Sequence, residues 1–241
     1  MSLKIRKSVL FAGLAALVFS LPAYSNNNKS VRIDDGAESN GASSVNGSIT
    51  VGKKATVTGS LSTVNGSIRV GEGSRIEDVS TVNGSLRISD DTQTEDLQTV
   101  NGGIRVGEHV VVAGEITAVN GKITVSTGSS VDGEVSNVNG SIRLSGSTVA
   151  RDVATVNGDI SVVDGAVVKG DVIVEEVSNS FFGNDKNVNK PTVVIGPGSR
   201  VEGVLILKRE VNLYISETAE VGGVEGVMSM DDAVRFSGDR P

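Results

Sequence analysis

The sequence predicts an all-β chain folded as a single-stranded β-solenoid, or β-helix, of about ten coils of 18–19 residues. The tripeptide Val-Asn-Gly occurs seven times at steps of 18 or 19 residues, and the apolar residues between copies alternate as they do in strands. Beyond the N-terminus, no segment keeps helical spacing for more than a turn or two. A repeat this short cannot bury its own apolar side chains, so each unit must stack on its neighbours. The residues favour neither handedness.

Residues 64–81 illustrate one coil. Alternation along a strand sends successive side chains to opposite faces. This predicts an inward set and an outward set: inward Val64, Gly66, Ile68 and Val70, and outward Asn65, Ser67 and Arg69. Residues 71–74 are predicted to form a turn, after which Ile76 and Val79 point inward again.

The first 25 residues resemble a secretory signal peptide. Three basic residues precede a 13-residue apolar run, 9–21, and small residues stand at the positions that a signal peptidase reads. The run is shorter than the roughly 18 residues expected of a spanning helix, so no transmembrane segment is predicted after leader removal. The protein is therefore expected to be periplasmic, on the outer surface or secreted. An uncleaved amphipathic anchor is the alternative.

The remaining chain is predicted to be one repeat domain. Residues 26–29 are expected to be a flexible start, and 30–226 the solenoid, interrupted by a polar, Asn-rich excursion over 175–191. Phe181 and Phe182 in that excursion are expected to cover an adjacent coil. Residues 227–241 form a C-terminal tail, either mobile or lying across the last coil.

Composition excludes several classes of function. Without the leader the chain carries 19 basic and 29 acidic residues, a net charge of −10, which opposes binding to DNA or RNA. The absence of cysteine excludes disulfides, thiolate metal sites and a cysteine nucleophile. Thirty glycines and seven aromatic residues suit a solenoid, whose interior takes aliphatic side chains and whose corners take small ones.

The Asn of each Val-Asn-Gly is predicted to form a structural ladder. Coils about 4.8 Å apart would let amides of successive coils hydrogen-bond to each other, and Asn-Gly is a favoured turn pair. A row of ligand-binding Asn side chains is the alternative. The ladder comprises Asn46, Asn65, Asn83, Asn101, Asn120, Asn139 and Asn157.

Two further columns are predicted to face outward and are candidate contact surfaces. A hydroxyl-rich column stands two residues before each Asn, and an arginine column stands four residues after it. Regular hydroxyls could order water on an ice surface or meet polysaccharide hydroxyls, or belong to an ordinary solvated β face. The candidate contact residues are Thr63, Thr81, Thr99, Thr155, Arg69, Arg87, Arg105 and Arg143, and the hydroxyl column is completed by Ser44, Ala118 and Asn137.

A third outward column is acidic. It is a weak candidate for divalent cations, which bind oxygen ligands, or else a solubilising edge, because the nine-residue calcium repeat is missing. Its members are Asp78, Asp96, Glu115, Glu134, Asp152 and Asp171. The single histidine, His109, lies in a turn of one coil without a recognisable partner, so no catalytic residue, cofactor or bound metal is predicted.

The repeated Thr-Val-Asn-Gly string, over roughly residues 44–174, resembles a bacterial adhesin-type β-strand-repeat family of unknown function. The later strings Gly-Ala-Val-Val-Lys-Gly-Asp-Val and Ile-Gly-Pro-Gly-Ser-Arg-Val-Glu-Gly-Val are similar to bactofilins, the polymer-forming β-helical cytoskeletal proteins. Bactofilins characteristically lack an export signal, unlike this chain. The resemblance implies a β-helical fold and self-association, and supplies no catalytic residues.

Two enzymatic alternatives compete with a structural role. Strings such as Ile-Gly-Pro-Gly-Ser-Arg are similar to the hexapeptide repeat of left-handed β-helix acyltransferases, which carry a catalytic histidine. A polysaccharide lyase on a right-handed β-helix would suit the compartment but needs large loops and a cleft. The sequence therefore predicts a non-enzymatic, exported structural or adhesin-like envelope protein. Its partners would be glycans or other cell surfaces, or further copies stacked end to end.

Overall fold

The structure, a computed structural model, describes residues 25–26, 28–176 and 190–241. It confirms the predicted all-β solenoid of about ten coils, in which each complete coil passes through three short strands. In the described residues, the strands build three parallel sheets around one core. One turn of 3₁₀ helix, Met230–Asp232, is the sole helical element in the described ranges. No described helix has the length and apolar character needed to cross a bilayer.

The three faces are called sheets A, B and C in the order in which a typical coil visits them. Sheet A has 11 strands: Ser25–Asn26, Ala42–Ser44, Leu61–Asn65, Val79–Asn83, Leu97–Asn101, Ile116–Asn120, Val135–Asn139, Val153–Asn157, Val172–Val174, Leu205–Leu207 and Val224–Gly226. Sheet B has 11: Val31–Ile33, Ile49–Val51, Ile68–Val70, Leu86–Ile88, Ile104–Val106, Ile123–Val125, Ile142–Ser145, Ile160–Val163, Thr192–Ile195, Asn212–Ser216 and Val234–Phe236. Sheet C has ten: Glu38–Ser39, Thr56–Val57, Arg75–Ile76, Gln93–Thr94, Val111–Val112, Ser130–Val131, Thr148–Val149, Val167–Val168, Arg200–Val201 and Glu220–Val221.

Equivalent residues of successive coils stack directly on one another. In sheet B, Leu86 pairs with Ile68 of the coil before and with Ile104 of the coil after. Arg87 pairs in the same way with Arg69 and Arg105. Because parallel strands lie about 4.8 Å apart, every repeated side chain becomes a column with that spacing.

The core is a continuous column of aliphatic side chains. Ile68, Leu86, Ile104 and Ile123 from sheet B are each at most 1% exposed. Valines and leucines of sheets A and C, such as Val79 on sheet A, close the core from the other two sides. Each coil covers the apolar side chains of the next, which is why the sequence can repeat a short unit without a separate core.

The predicted alternation fails at the Val-Asn-Gly corner. Thr63 is fully buried, whereas Val64 is half-buried. In the register, Thr81 pairs with Thr63 and Asn83 with Asn65, with no pair at the intervening valine. The backbone therefore bends at that valine, and the bend shifts the phase of alternation. The prediction that Val64 points into the core alongside Ile68 is wrong for this reason.

Ordered structure begins earlier than predicted. Ser25–Asn26 forms the first strand of sheet A and pairs with Ser43 and Ser44. The amide of Asn46 donates a hydrogen bond to Asn28 Oδ1 at 2.6 Å, so the predicted flexible start takes part in the ladder. The remainder of the predicted signal peptide, residues 1–24, lies outside the described residues.

The predicted C-terminal tail adds a strand to the solenoid. Val234–Phe236 pairs with the Asn212–Ser216 strand of sheet B, and Phe236 is buried. Met228, Met230 and Ala233 pack against the end of the core. This segment therefore covers the C-terminal end of the apolar column.

Stacking continues in register across the predicted excursion. Ile160 pairs with Val193 in sheet B, and Val172 pairs with Leu205 in sheet A. Within the predicted excursion, residues 177–189, with Phe181 and Phe182, lie outside the described residues.

Candidate functional site

The seven repeated asparagines line the corner between sheets A and B, and six of them form a hydrogen-bonded ladder. Each amide Nδ2 donates to the side-chain Oδ1 of the preceding coil over 2.6–2.9 Å. The bonds run from Asn139 back through Asn120, Asn101, Asn83, Asn65 and Asn46 to Asn28. A primary amide has two N–H donors and two lone pairs, so each amide keeps hydrogen-bonding capacity for the solvent side.

The glycine after each asparagine is required by the closeness of successive coils. A Cβ on Gly66 would lie 2.2 Å from the carbonyl oxygen of Gly47, and one on Gly84 would lie 2.0 Å from that of Gly66. The ladder asparagines themselves are not among the described non-glycine residues with positive φ. A left-handed backbone at asparagine is therefore not what selects Asn-Gly at this corner.

The ladder ends at a charged cluster. Asn157 Oδ1 accepts a hydrogen bond from Arg209 Nη1 at 2.9 Å. One coil further on, Glu175, which aligns with Val156 in the register of sheet A, receives Lys208 Nζ at 2.7 and 2.9 Å. Burial lowers the pKa of Arg209. A buried carboxylate needs a close cation, and Lys208 supplies it for Glu175.

The hydroxyl column, predicted to face outward, lies inside the solenoid. Thr63, Thr81, Thr99 and Thr155 are at most 1% exposed. Their hydroxyls hydrogen-bond to the preceding coil, and Thr81 Oγ1 donates to the carbonyl oxygen of Gly66 at 2.9 Å. These residues are therefore not a contact surface, because the bend at the corner turns them toward the core. Ser44, Ala118 and Asn137 of the same column are also buried.

A second buried polar column was missed in the sequence. Where sheet B leads into sheet C, the hydroxyl of Ser129 donates to the Gly107 carbonyl at 2.8 Å and accepts the Val110 N–H at 3.0 Å. Ser74 makes the equivalent two contacts with Gly52 and Ala55. Serine in a turn is commonplace, so the sole signal was its recurrence at this position, one to three coils apart.

The acidic column serves largely as a set of backbone acceptors. Asp96 Oδ1 accepts the Glu115 N–H at 2.8 Å, and Asp171 Oδ1 accepts the Val204 N–H at 3.0 Å. Burial raises the pKa of Glu115, and the negative charge of Asp96 raises it further. Burial also raises the pKa of Glu134, followed by the charges of Asp152 and Glu115. The column thus carries electrostatic repulsion between coils.

No three histidine or carboxylate side chains of the described ranges converge where a metal ion could be held. His109 has a positive φ of 54° and lies in an exposed turn. Its Nδ1 stands 3.9 Å from Asp91 Oδ1. The structure therefore brings His109 beside one carboxylate of the preceding coil, away from the arginine column.

The arginine column follows the outer side of sheet B. Arg69, Arg87 and Arg105 occupy three consecutive coils, and we call them the arginine strip. All three are exposed, and none forms an ion pair with a described carboxylate. Arg143 is separated from the strip by Thr124 and lies 3.5 Å from Asp164. The strip is thus a local excess of positive charge on an acidic protein.

A shallow groove lies beside this strip. It has a volume of about 160 Å³ and is lined by Ser85, Leu86, Arg87, Gly103, Ile104, Arg105, Lys122 and Thr124. Neighbouring coils have Ser67 and Ser85 at the position of Gly103, so the missing side chain opens the groove. Three cations and two hydroxyl-bearing residues line it, and no acidic residue does.

No protein-family model matches the chain, and comparisons with curated proteins and with solved structures also found no match.

Proposed function

We propose that this protein is a non-enzymatic, exported, structural or adhesin-like β-solenoid of the bacterial cell envelope. It presents a repetitive face for contact with a surface or with further copies of itself. The observation that carries this proposal is the outer side of sheet B. Over Val31–Val163, eight strands follow at intervals of one coil, and their outward residues stay in register.

The sequence supports export. The basic start, the 13-residue apolar run and the small residues before position 26 have the order of a cleavable leader. The rest of the chain has a net charge of −10, which opposes binding to nucleic acid. It contains no cysteine, so its stability does not depend on the redox state of the compartment.

The distribution of polar groups favours a scaffold over a catalyst. At the corners, Asn and Asp side chains bond to the equivalent position of the neighbouring coil, and Ser and Thr hydroxyls bond to a glycine carbonyl of the preceding coil. Such groups hold coils in register and repeat along the axis, whereas a catalytic centre gathers different groups at one point. Contacts with other molecules would then be made by the outward-facing columns whose side chains take no part in these bonds between coils.

The solenoid ends support self-association. Val31–Ile33 and Val234–Phe236 are the first and last strands of sheet B, so each has one edge without a strand partner in the described chain. Unpaired strand edges are templates for another chain. Val227 and Val234 are 60% and 55% exposed at the C-terminal end. End-to-end stacking of copies would cover them.

Carbohydrate binding is the second candidate function. The groove between Arg87 and Arg105 favours it, because cations and hydroxyls there converge beside a regular row of amides. Under this alternative the solenoid would retain a polysaccharide, or act on one.

Fractionation of the producing cells, followed by sedimentation and electron microscopy of the recovered protein, tests the proposal. We expect a protein outside the cytoplasm that lacks its leader and forms rods or filaments at high concentration. A strictly monomeric species would remove self-association. Recovery from the cytoplasm with the leader intact, or turnover of a polysaccharide by the pure protein, would overturn the proposal.

A further inference from the structure

We propose that the arginine strip and the groove at Gly103 bind a linear acidic polysaccharide whose carboxylates follow the solenoid axis. The inference rests on the proposed function and deepens it by assigning the contact surface and its ligand. It is carried by the three guanidinium groups of the strip, by the side-chain gap at Gly103 and by the neighbouring asparagine ladder.

The charge on the strip is available to a ligand. Arg69, Arg87 and Arg105 are exposed and have no ion-pair partner among the described residues, although the protein is acidic overall. Elsewhere in the described chain, other basic side chains do pair, as Lys53 does with Glu72 and Arg200 with Glu220. Guanidinium groups bind carboxylates through two parallel hydrogen bonds, which gives geometric selectivity for planar anions.

The spacing of charges selects the type of polymer. The coils place one arginine about every 4.8 Å along the strip. Duplex DNA carries a negative charge about every 1.7 Å and would be poorly neutralised by this single row. A chain of uronic acids carries one carboxylate per sugar ring, a spacing comparable to that of the coils. The exported location of the protein also favours a glycan.

The groove supplies a specific subsite within the strip. At Gly103 the serine of the two preceding coils is missing, and Arg87, Arg105 and Lys122 surround the gap. A carboxylate seated there meets three cations with no acidic residue in the lining. Ser85 and Thr124 add hydroxyl groups that can bond to the sugar.

The asparagine ladder provides neutral contacts beside the charged ones. Asn83 and Asn101 are exposed and hydrogen-bonded to each other at 2.9 Å. Their amides keep donors and acceptors that can bond to sugar hydroxyls. Because the ladder fixes the amides, little side-chain entropy is lost when a ligand binds them.

Binding of polygalacturonate to the protein, expressed with its own leader and recovered after export, tests the inference by titration calorimetry. The double variant Arg87→Gln/Arg105→Gln should weaken binding about tenfold or more, since two exposed charge pairs are lost. The control Arg75→Gln/Arg151→Gln makes the same charge change away from sheet B and should change affinity by less than about twofold. Gly103→Ser restores the serine of the neighbouring coils and should weaken binding by filling the groove.

Two further ligands separate the outcomes. Fully methyl-esterified polygalacturonate should bind far more weakly, and polyphosphate should not bind more tightly than the uronate. Equal binding of the ester, or an equal loss in the control variant, would overturn the inference. Tighter strip-dependent binding of polyphosphate would overturn the assignment to a polysaccharide. If the exported protein forms rods but binds none of these polymers, the inference fails while the proposed function stands. If it shortens the polygalacturonate, the non-enzymatic function fails instead.

Discussion

The buried hydroxyl of Thr81 donates a hydrogen bond to the carbonyl oxygen of Gly66, one coil earlier, at 2.9 Å. The same bond recurs from Thr63 to Gly47 at 2.8 Å and from Thr99 to Gly84 at 3.1 Å. It ties the inner wall of each coil to the glycine corner of the previous one. The repeated Thr-Val-Asn-Gly string thus joins coils twice, once inside through threonine and once outside through asparagine.

Thr81→Val should destabilise its coil by about 1–3 kcal/mol, because it leaves the Gly66 carbonyl without this partner while keeping the shape of the side chain. Hydrogen exchange at amides of neighbouring coils is the suitable measurement, because it reports stability coil by coil. Thr50→Val, on the outer side of sheet B, is the control and should change protection little. Equal effects of the two variants would contradict a structural role for the buried hydroxyl.

Ala118→Thr should stabilise the protein by about 0.5–1.5 kcal/mol, the usual net contribution of a hydrogen bond. Ala118 pairs with Thr99 in the column, and its coil lacks the hydroxyl that Thr99 directs at the carbonyl oxygen of Gly84. Ala118→Val adds the same bulk without the hydroxyl and serves as the control. A rise in urea midpoint for the valine variant as large as for the threonine variant would assign the gain to packing instead.

Ser129→Ala should cost about 1–3 kcal/mol, because it strands both the Val110 N–H and the Gly107 carbonyl. Ser147 occupies the equivalent place in the next coil, and its buried hydroxyl has no hydrogen-bond partner in the described structure. Ser147→Ala should therefore be neutral or stabilising. Thermal unfolding of the two variants tests both predictions. Ser129→Ala should melt at a lower temperature than Ser147→Ala, and the reverse order would refute the predictions.

Glu134→Gln should stabilise the protein at neutral pH by about 0.5 kcal/mol, the scale of partly exposed charge interactions. The folded pKa of Glu134 lies above its ordinary 4.5 because of burial and the nearby charges of Asp152 and Glu115. Protonation is thus favoured in the folded chain, so the related stability is present below pH 4.5 and is lost as the pH rises through the raised value.

The advantage of Glu134→Gln over the natural chain should accordingly shrink as the pH falls from 7 toward 4.5. Urea unfolding across this range is the measurement. Glu108→Gln, at an exposed turn, is the control and should change the free energy of unfolding little. An advantage for Glu134→Gln that grew on acidification would contradict the direction of the pKa shift.

The fold could be predicted because its determinants are local and repeated. Ile68, Leu86 and Ile104 recur at one-coil intervals, and stacking is the way in which such short units bury them. The direction of Thr81 could not be predicted by alternation, since that rule assumes a straight strand and the strand bends at Val82. Ala118 in the same column was a usable signal, because a small apolar residue among hydroxyls suggests an interior position.

Alternation along a strand could not predict the groove or the charged end of the ladder. Both features depend on side chains from adjacent coils. In the sequence, Gly103 is a single departure from the serine of the two preceding coils. The structure shows that cations of adjacent coils surround this position. Lys208 and Glu175 lie 33 residues apart across the excursion, so their pairing follows from the coil register alone.

The fraction of the protein retained on the surface of the producing cells tests the central claim most directly. We predict that the natural chain and Asn139→Ala are both held on the cell surface without residues 1–25, since Asn139 belongs to the ladder but lies outside the coils of the arginine strip. Arg87→Gln/Arg105→Gln should be exported and folded but released into the medium. Retention that survives loss of the arginines and disappears with Asn139→Ala would contradict the account, as would a protein found in the cytoplasm with its leader intact.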